Sequence, residues 1–102
     1  MSNDKQIEQE IQAKGLTAPR ITTARIDDVI KDVQYYVFPR TMVTVCCITL
    51  QKGFNTIGES ACASPENFDA ELGEKIAFGN AKQKIWALEG YLLKEKLSEP
   101  TT

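Results

Sequence analysis

Tyr35, Tyr36, Phe38, Arg40 and Lys52 set aromatic faces beside cationic tips near one end of what reads as a small sheet. That mixture is the chemistry that stacks a base or clamps a phosphate. Ser60 and Asn67 add a hydroxyl and an amide, and Glu59 is the one charge in an otherwise uncharged strand. The candidate ligand-binding residues are therefore Tyr35, Tyr36, Phe38, Arg40, Glu59, Ser60 and Asn67. The plainer reading of the same residues is that aromatics on a strand alternate between core and surface. Lys82-Gln83-Lys84 with Trp86 and Tyr91 has a similar double reading, the plainer half being a buried tryptophan that anchors a helix to the sheet.

The chain has no histidine, which removes the usual general base, the usual triad partner and the commonest transition-metal ligand together. Gly58-Glu59-Ser60-Ala61-Cys62 resembles a nucleophile elbow at three positions, but that motif needs a strand-to-helix turn and a histidine to meet its serine. Cys46, Cys47 and Cys62 lack metal-ligand spacing, and an odd count with two adjacent makes a poor disulfide framework. Glu59, Glu66, Asp69, Glu71 and Glu74 could supply paired carboxylates for acid/base work or for magnesium, although the start of a helix accounts for most of them. No catalytic residue, metal site or cofactor is expected, and the protein reads as a non-enzyme.

Composition sets the frame for the elements that must position these residues. A chain of 102 residues, 42% hydrophobic and 25% charged, has the size of one ordinary soluble domain. A net charge of −2 argues against general affinity for a nucleic-acid backbone. The longest apolar run, Met42 to Leu50, falls far short of the roughly 20 residues of a membrane helix, so no membrane partner is expected. The polar start points to the cytoplasm.

Asp4 to Lys14 reads as a polar helical arm with Ile7 and Ile11 as its apolar stripe and Gly15 as its stop. A linker, Leu16 to Arg20, leads to a second helix capped by Thr22 or Thr23, with Ile26, Val29, Ile30 and Val33 on one stripe. Tyr35 to Phe38 is β-prone and closed by Pro39, as suits an edge. Thr41 to Leu50 and Phe54 to Ala63 form a hairpin around Gln51-Lys52-Gly53. A turn centred on Lys52 and Gly53 would set Cys46 opposite Glu59 and Val43 opposite Cys62. It would also gather Met42, Cys46, Ile48, Leu50, Ile57 and Ala61 on one face.

Leu72 to Leu97 carries a long helical apolar pattern, with Ser64-Pro65 or Asn67 and Asp69 as its start, and a bend or break expected near Gly73, Gly79 or Gly90. Residues 1–14 thus form an arm, 15–97 one domain and 98–102 a tail. The fold class is α+β: N-terminal helices, an antiparallel sheet of two to three strands built on a β-hairpin, and a long C-terminal helix packed on it.

Several separated blocks carry a likeness that periodicity does not: Gly-Leu-Thr-Ala-Pro-Arg at 15–20, Tyr-Tyr-Val-Phe-Pro at 35–39, Thr-Val-Cys-Cys at 44–47, Gly-Glu-Ser-Ala-Cys at 58–62, Pro-Glu-Asn-Phe at 65–68 and Lys-Ile-Trp-Ala-Leu-Glu-Gly-Tyr-Leu-Leu at 84–93. From about Gly15 to Leu97 the chain resembles the gene-product forty-nine / gene sixty-six family of small tailed-phage and prophage proteins. It departs from the family block at Ala87, where proline is expected. The resemblance brings no catalytic residues with it. It implies a viral protein made in the host cytoplasm, an accessory factor of infection rather than a structural part.

Two functions follow as expectations. One is a non-catalytic binding protein that sequesters a small nucleotide-derived signal of host defence; the other is an interaction module that binds and inhibits a host enzyme. Nucleic acid ranks below both. A homo-oligomer, with a dimer favoured, is expected through the long helix or an exposed sheet face, because so short a chain offers few elements to cover both.

Overall fold

Thr22 starts the folded body. Its side chain accepts a hydrogen bond from the Arg25 backbone N–H at 3.2 Å and caps a short helix over Thr23–Val29. The computed structural model describes residues 4–15 and 19–99. Its elements are α1 (Asp4–Ala13), α2 (Thr23–Val29), β1 (Ile30–Val37), β2 (Val43–Leu50), β3 (Asn55–Ala61), a 3-10 turn at Pro65–Asn67, and α3 (Ala70–Leu97). The linker expected at Leu16 to Arg20 lies partly outside the described residues, as does the end of the expected tail at 100–102.

The strands form an antiparallel meander in the order β1-β2-β3, with α3 lying along one face over β2 and β3. This is the expected α+β architecture. Ile26 and Val29 of α2, Cys46 and Ile48 of β2, and Ala77, Ala81 and Ile85 of α3 make the core between the layers. Burying each isoleucine contributes about 1.5–3 kcal/mol.

Three local expectations need correction. The second helix does not carry Val33: it ends at Val29, and Ile30 already opens β1. Ile30, Val33 and Val37 are β-branched and pack better on a pleated strand than on a helix. The hairpin register is shifted by one residue: Cys46 pairs with Gly58 and Val43 with Ala61. The reason lies in the turn, where Gly53 N–H donates to Leu50 O at 2.9 Å and Leu50 N–H to Phe54 O at 2.8 Å. Gln51 and Lys52 are therefore the central turn residues, and Gly53, at φ +92°, is the left-handed third residue of a three-residue loop. One position of slip exchanges the faces of a whole strand: Ile57 and Ala61 leave the face of Cys46 and Ile48, which Thr56, Gly58 and Ser60 share instead.

The third correction is α3, which runs unbroken through Gly73, Gly79 and Gly90. Asp69 caps it by accepting from the Leu72 N–H at 3.1 Å, and Ser64-Pro65 starts only the preceding 3-10 turn. Contact with the sheet supports the helix at Gly73 and at the small residues Ala77 and Ala81. Ser60 Oγ donates to Gly73 O at 2.9 Å, and Gly58 sits directly beneath the backbone of Ala77 and Ala81.

Candidate functional site

Strand alternation divides the candidate residues between the two sides of the sheet. On the side away from α3, Tyr36 lies opposite Val45, and Val45 opposite Glu59. The next row is Gln34, Cys47 and Ile57. Phe38 joins this side through an edge-to-face contact with Tyr36, ring centroids 4.9 Å apart and planes at 90°. Among the described residues no element covers the surface, and Tyr36 is 55% and Ile57 51% exposed. It is an aromatic and aliphatic face with one carboxylate at its β3 rim.

Tyr35 and Ser60 point the other way, toward α3. Tyr35 pairs with Cys46 across the ladder, and Ser60 is bonded to the helix backbone. Arg40 stands in the β1–β2 turn, where Thr41 N–H donates to Phe38 O at 3.1 Å. There it takes φ +63° after Pro39, the type II arrangement that ordinarily uses glycine. Asn67 ends the 3-10 turn and is exposed. The structure therefore brings Tyr36, Phe38 and Glu59 onto one face and sets Tyr35, Ser60, Arg40 and Asn67 apart from it.

The three cysteines are free. Burial pushes the Cys46 thiol up to about 11, neighbouring Cys47 pushes the same way, and a hydrogen bond with Tyr35 acts against both. Tyr35 is raised in turn, chiefly by its own burial. Cys46 is thus a packing residue at neutral pH, because the thiolate is the reactive form.

Concave surface occurs elsewhere, between α1 and α3. One cleft of about 320 Å³ is lined by residues including Lys75, Phe78, Lys82 and Trp86, and a second of about 300 Å³ by Ile7, Ile11, Ile21 and Trp86 among others. Trp86 is only partly buried; it packs against the edge of the core and also lines both clefts beside the arm. The Lys82 ammonium lies 3.8 Å from Asp4 and 3.5 Å from Asp27, so its charge is already matched. These clefts were not legible as a site, because α1 enters them from the far end of the chain.

The arm is tied down by Glu8, whose carboxylate accepts from both terminal nitrogens of Arg20 at 2.8 and 2.5 Å. That pair, with a further bond from Gln12, holds the Glu8 carboxyl down at about 2 against an ordinary 4.5. A depressed carboxyl pKa stabilises the fold above the unfolded value and loses the contribution as pH falls through the folded value. Removing the pair with Arg20→Met is therefore expected to lower the urea midpoint at neutral pH. The gap to wild type should begin to close below about pH 4.5 and vanish near about 2. A gap that stays constant across that range would show that the ion pair does not hold the arm.

The model of the Phage protein (N4 Gp49/phage Sf6 gene 66) family matches residues 21–97, and the chain belongs to that family. No curated protein and no solved structure matches the chain. Among the described residues, no helix is long and apolar enough to cross a membrane.

Proposed function

We propose that this phage protein is a non-catalytic accessory factor that acts in the host cytoplasm by binding a host protein through the open face of its sheet. One observation carries this reading: Tyr36, Phe38, Val45 and Ile57 form a contiguous apolar face that none of the described elements covers. A flat face rich in tyrosine and phenylalanine is the composition of protein-binding surfaces. Small-molecule sites are concave instead, and the seven candidate residues do not line one cavity.

Capture of a host enzyme in stoichiometric amount by the wild-type protein, lost in the folded variant Tyr36→Ala/Ile57→Lys, is the expected result. A partner retained undiminished by that variant would exclude the face. Sequestration of a small nucleotide-derived signal, as a counter-defence device, is the second reading, favoured by the concavity of the α1/α3 clefts and by Lys75, Lys82 and Trp86 in their walls. A thermal-shift panel of cyclic dinucleotides and ADP-ribose derivatives separates the two. A rise in Tm that survives Tyr36→Ala/Ile57→Lys would move the function to the clefts.

A further inference from the structure

We infer that β1 is the seam of a symmetric homodimer, in which the strand pairs antiparallel with β1 of a second copy about an axis at Tyr35, making one continuous six-stranded sheet. This inference does not depend on what the open face binds.

The two edges of the sheet are not alike. In β3, the residues that turn their backbone away from β2 are Asn55, Ile57, Glu59 and Ala61, because the alternate residues Phe54 and Cys62 bond to β2. Two of these outward carbonyls are already taken by α3: Lys84 Nζ donates to Ile57 O at 2.6 Å and Asn80 Nδ2 to Glu59 O at 2.8 Å. Side chains of the protein's own helix thus occupy part of the β3 edge.

The β1 edge is open. Phe38 N–H donates to Val43 O, so Phe38, Tyr36 and Gln34 turn toward β2 while Val33, Tyr35 and Val37 present N–H and C=O outward. Among the described residues nothing bonds to those groups. Proteins ordinarily blunt such an edge with charge, proline or a covering element. From Val33 to Phe38 this strand is uncharged and β-prone. Because α3 lies over β2 and β3, the side chains of Tyr35 and Val37 are each left 39% exposed.

A molecule whose other edge is partly occupied by its own helix can satisfy the open one against a copy of itself, and because a two-fold contact uses that same edge of both copies, the pairing stops at two chains. The register is constrained as well. Pro39 has no N–H to give, and the ladder is irregular between Ile30 and Asp32, so the usable outward groups are those of Val33, Tyr35 and Val37. Pairing about Tyr35 sets Val33 opposite Val37 of the partner subunit and Tyr35 opposite Tyr35 of the partner subunit. It also brings the Asp32 carboxylate to the strand end that carries Arg40 of the partner subunit, an opposite charge at each rim of the seam.

Light scattering on a size-exclusion column should give twice the 11.4 kDa chain mass at micromolar concentration. Amide exchange in that dimer should be slow at Val33, Tyr35 and Val37. Val37→Pro removes only an outward N–H and leaves the β1–β2 ladder intact, and it is expected to weaken dimerisation by about tenfold or more. Tyr35→Lys should do the same by placing like charges face to face. In either monomer the Val33 amide should exchange rapidly while β2 amides stay protected. A single-chain mass at every concentration would overturn the inference. So would a dimer whose Val33 and Tyr35 amides exchange as fast as exposed ones, a measurement that needs only the wild-type protein.

Discussion

Gly58→Ala is expected to destabilise the protein by about 3 kcal/mol or more, the upper end of what overpacking costs. A methyl group at this position would lie 2.2 Å from the backbone nitrogen of Ala81, 2.3 Å from Ala77 O and 2.8 Å from the carbonyl carbon of Asn80. All three belong to the main chain of α3, so no rotamer change relieves the clash. The helix itself must lift by more than an ångström, and lifting it separates Ala77, Ala81 and Ile85 from Cys46 and Ile48, the contacts that join the two layers. A domain stabilised by about 5–15 kcal/mol loses a large part of its margin in that way.

Two other glycines of the same interface and helix serve as controls. A Cβ at Gly73 meets side-chain atoms, Thr44 Oγ1 at 3.1 Å and Ser60 Oγ at 3.4 Å, and at Gly79 it meets nothing within 4 Å. Gly79→Ala should therefore stabilise by about 1 kcal/mol through helix propensity alone, with Gly73→Ala between the two. Urea midpoints for the three variants check the order. A Gly58→Ala midpoint equal to wild type would mean that the layers are not in this close contact.

Much of the architecture was legible because it rests on local chemistry. Gly15 and Gly53 at positive φ, Thr22 as a cap and the apolar spacing of α3 each fix an element within a few residues of chain. What depended on contacts between elements was not legible. The Lys52-Gly53 sequence fits either a two-residue or a three-residue loop, and the choice decides whether Glu59 lies opposite Cys46 or Val45. The first half of α3 is supported by what Gly58, Thr44 and Ser60 offer it from the sheet, a contact that Gly73 read in isolation does not reveal. The aromatic cluster shows the same limit in the candidate site. Tyr35 and Tyr36 are adjacent in sequence, and on any strand adjacency means opposite faces, so a single pocket drawing on both needed a bulge that the strand does not have there. The face formed by Tyr36, Val45 and Ile57 is a property of register, and only the correct register assembles it.

Glu89 is the clearest residue of that second kind. In sequence it stands between Leu88 and Gly90 on a long helix, and nothing local marks it as buried. In the structure it is 8% exposed and its carboxylate accepts from Arg25 Nε at 2.9 Å, across sixty-four positions of chain. Arg25 lies on α2 with its side chain 56% exposed, so the attraction between the two charges is weakened by solvent and adds little by itself. The consequence of breaking the pair is asymmetric. Arg25→Ala leaves a carboxylate at the α2–α3 contact without its donor, and the expected cost is about 2 kcal/mol, the scale of a buried charged group deprived of its partner. Glu89→Gln keeps an acceptor for Arg25 and should cost less, about 1 kcal/mol. The double replacement Arg25→Met/Glu89→Leu removes both polar groups and fills the contact with apolar side chains, so it should recover most of the wild-type stability. Denaturation midpoints for Arg25→Met, Glu89→Leu and the double variant close a double-mutant cycle. If the effects of Arg25→Met and Glu89→Leu simply add, the carboxylate does not depend on the arginine and the α2–α3 contact is held by Ile26 and Val29 alone.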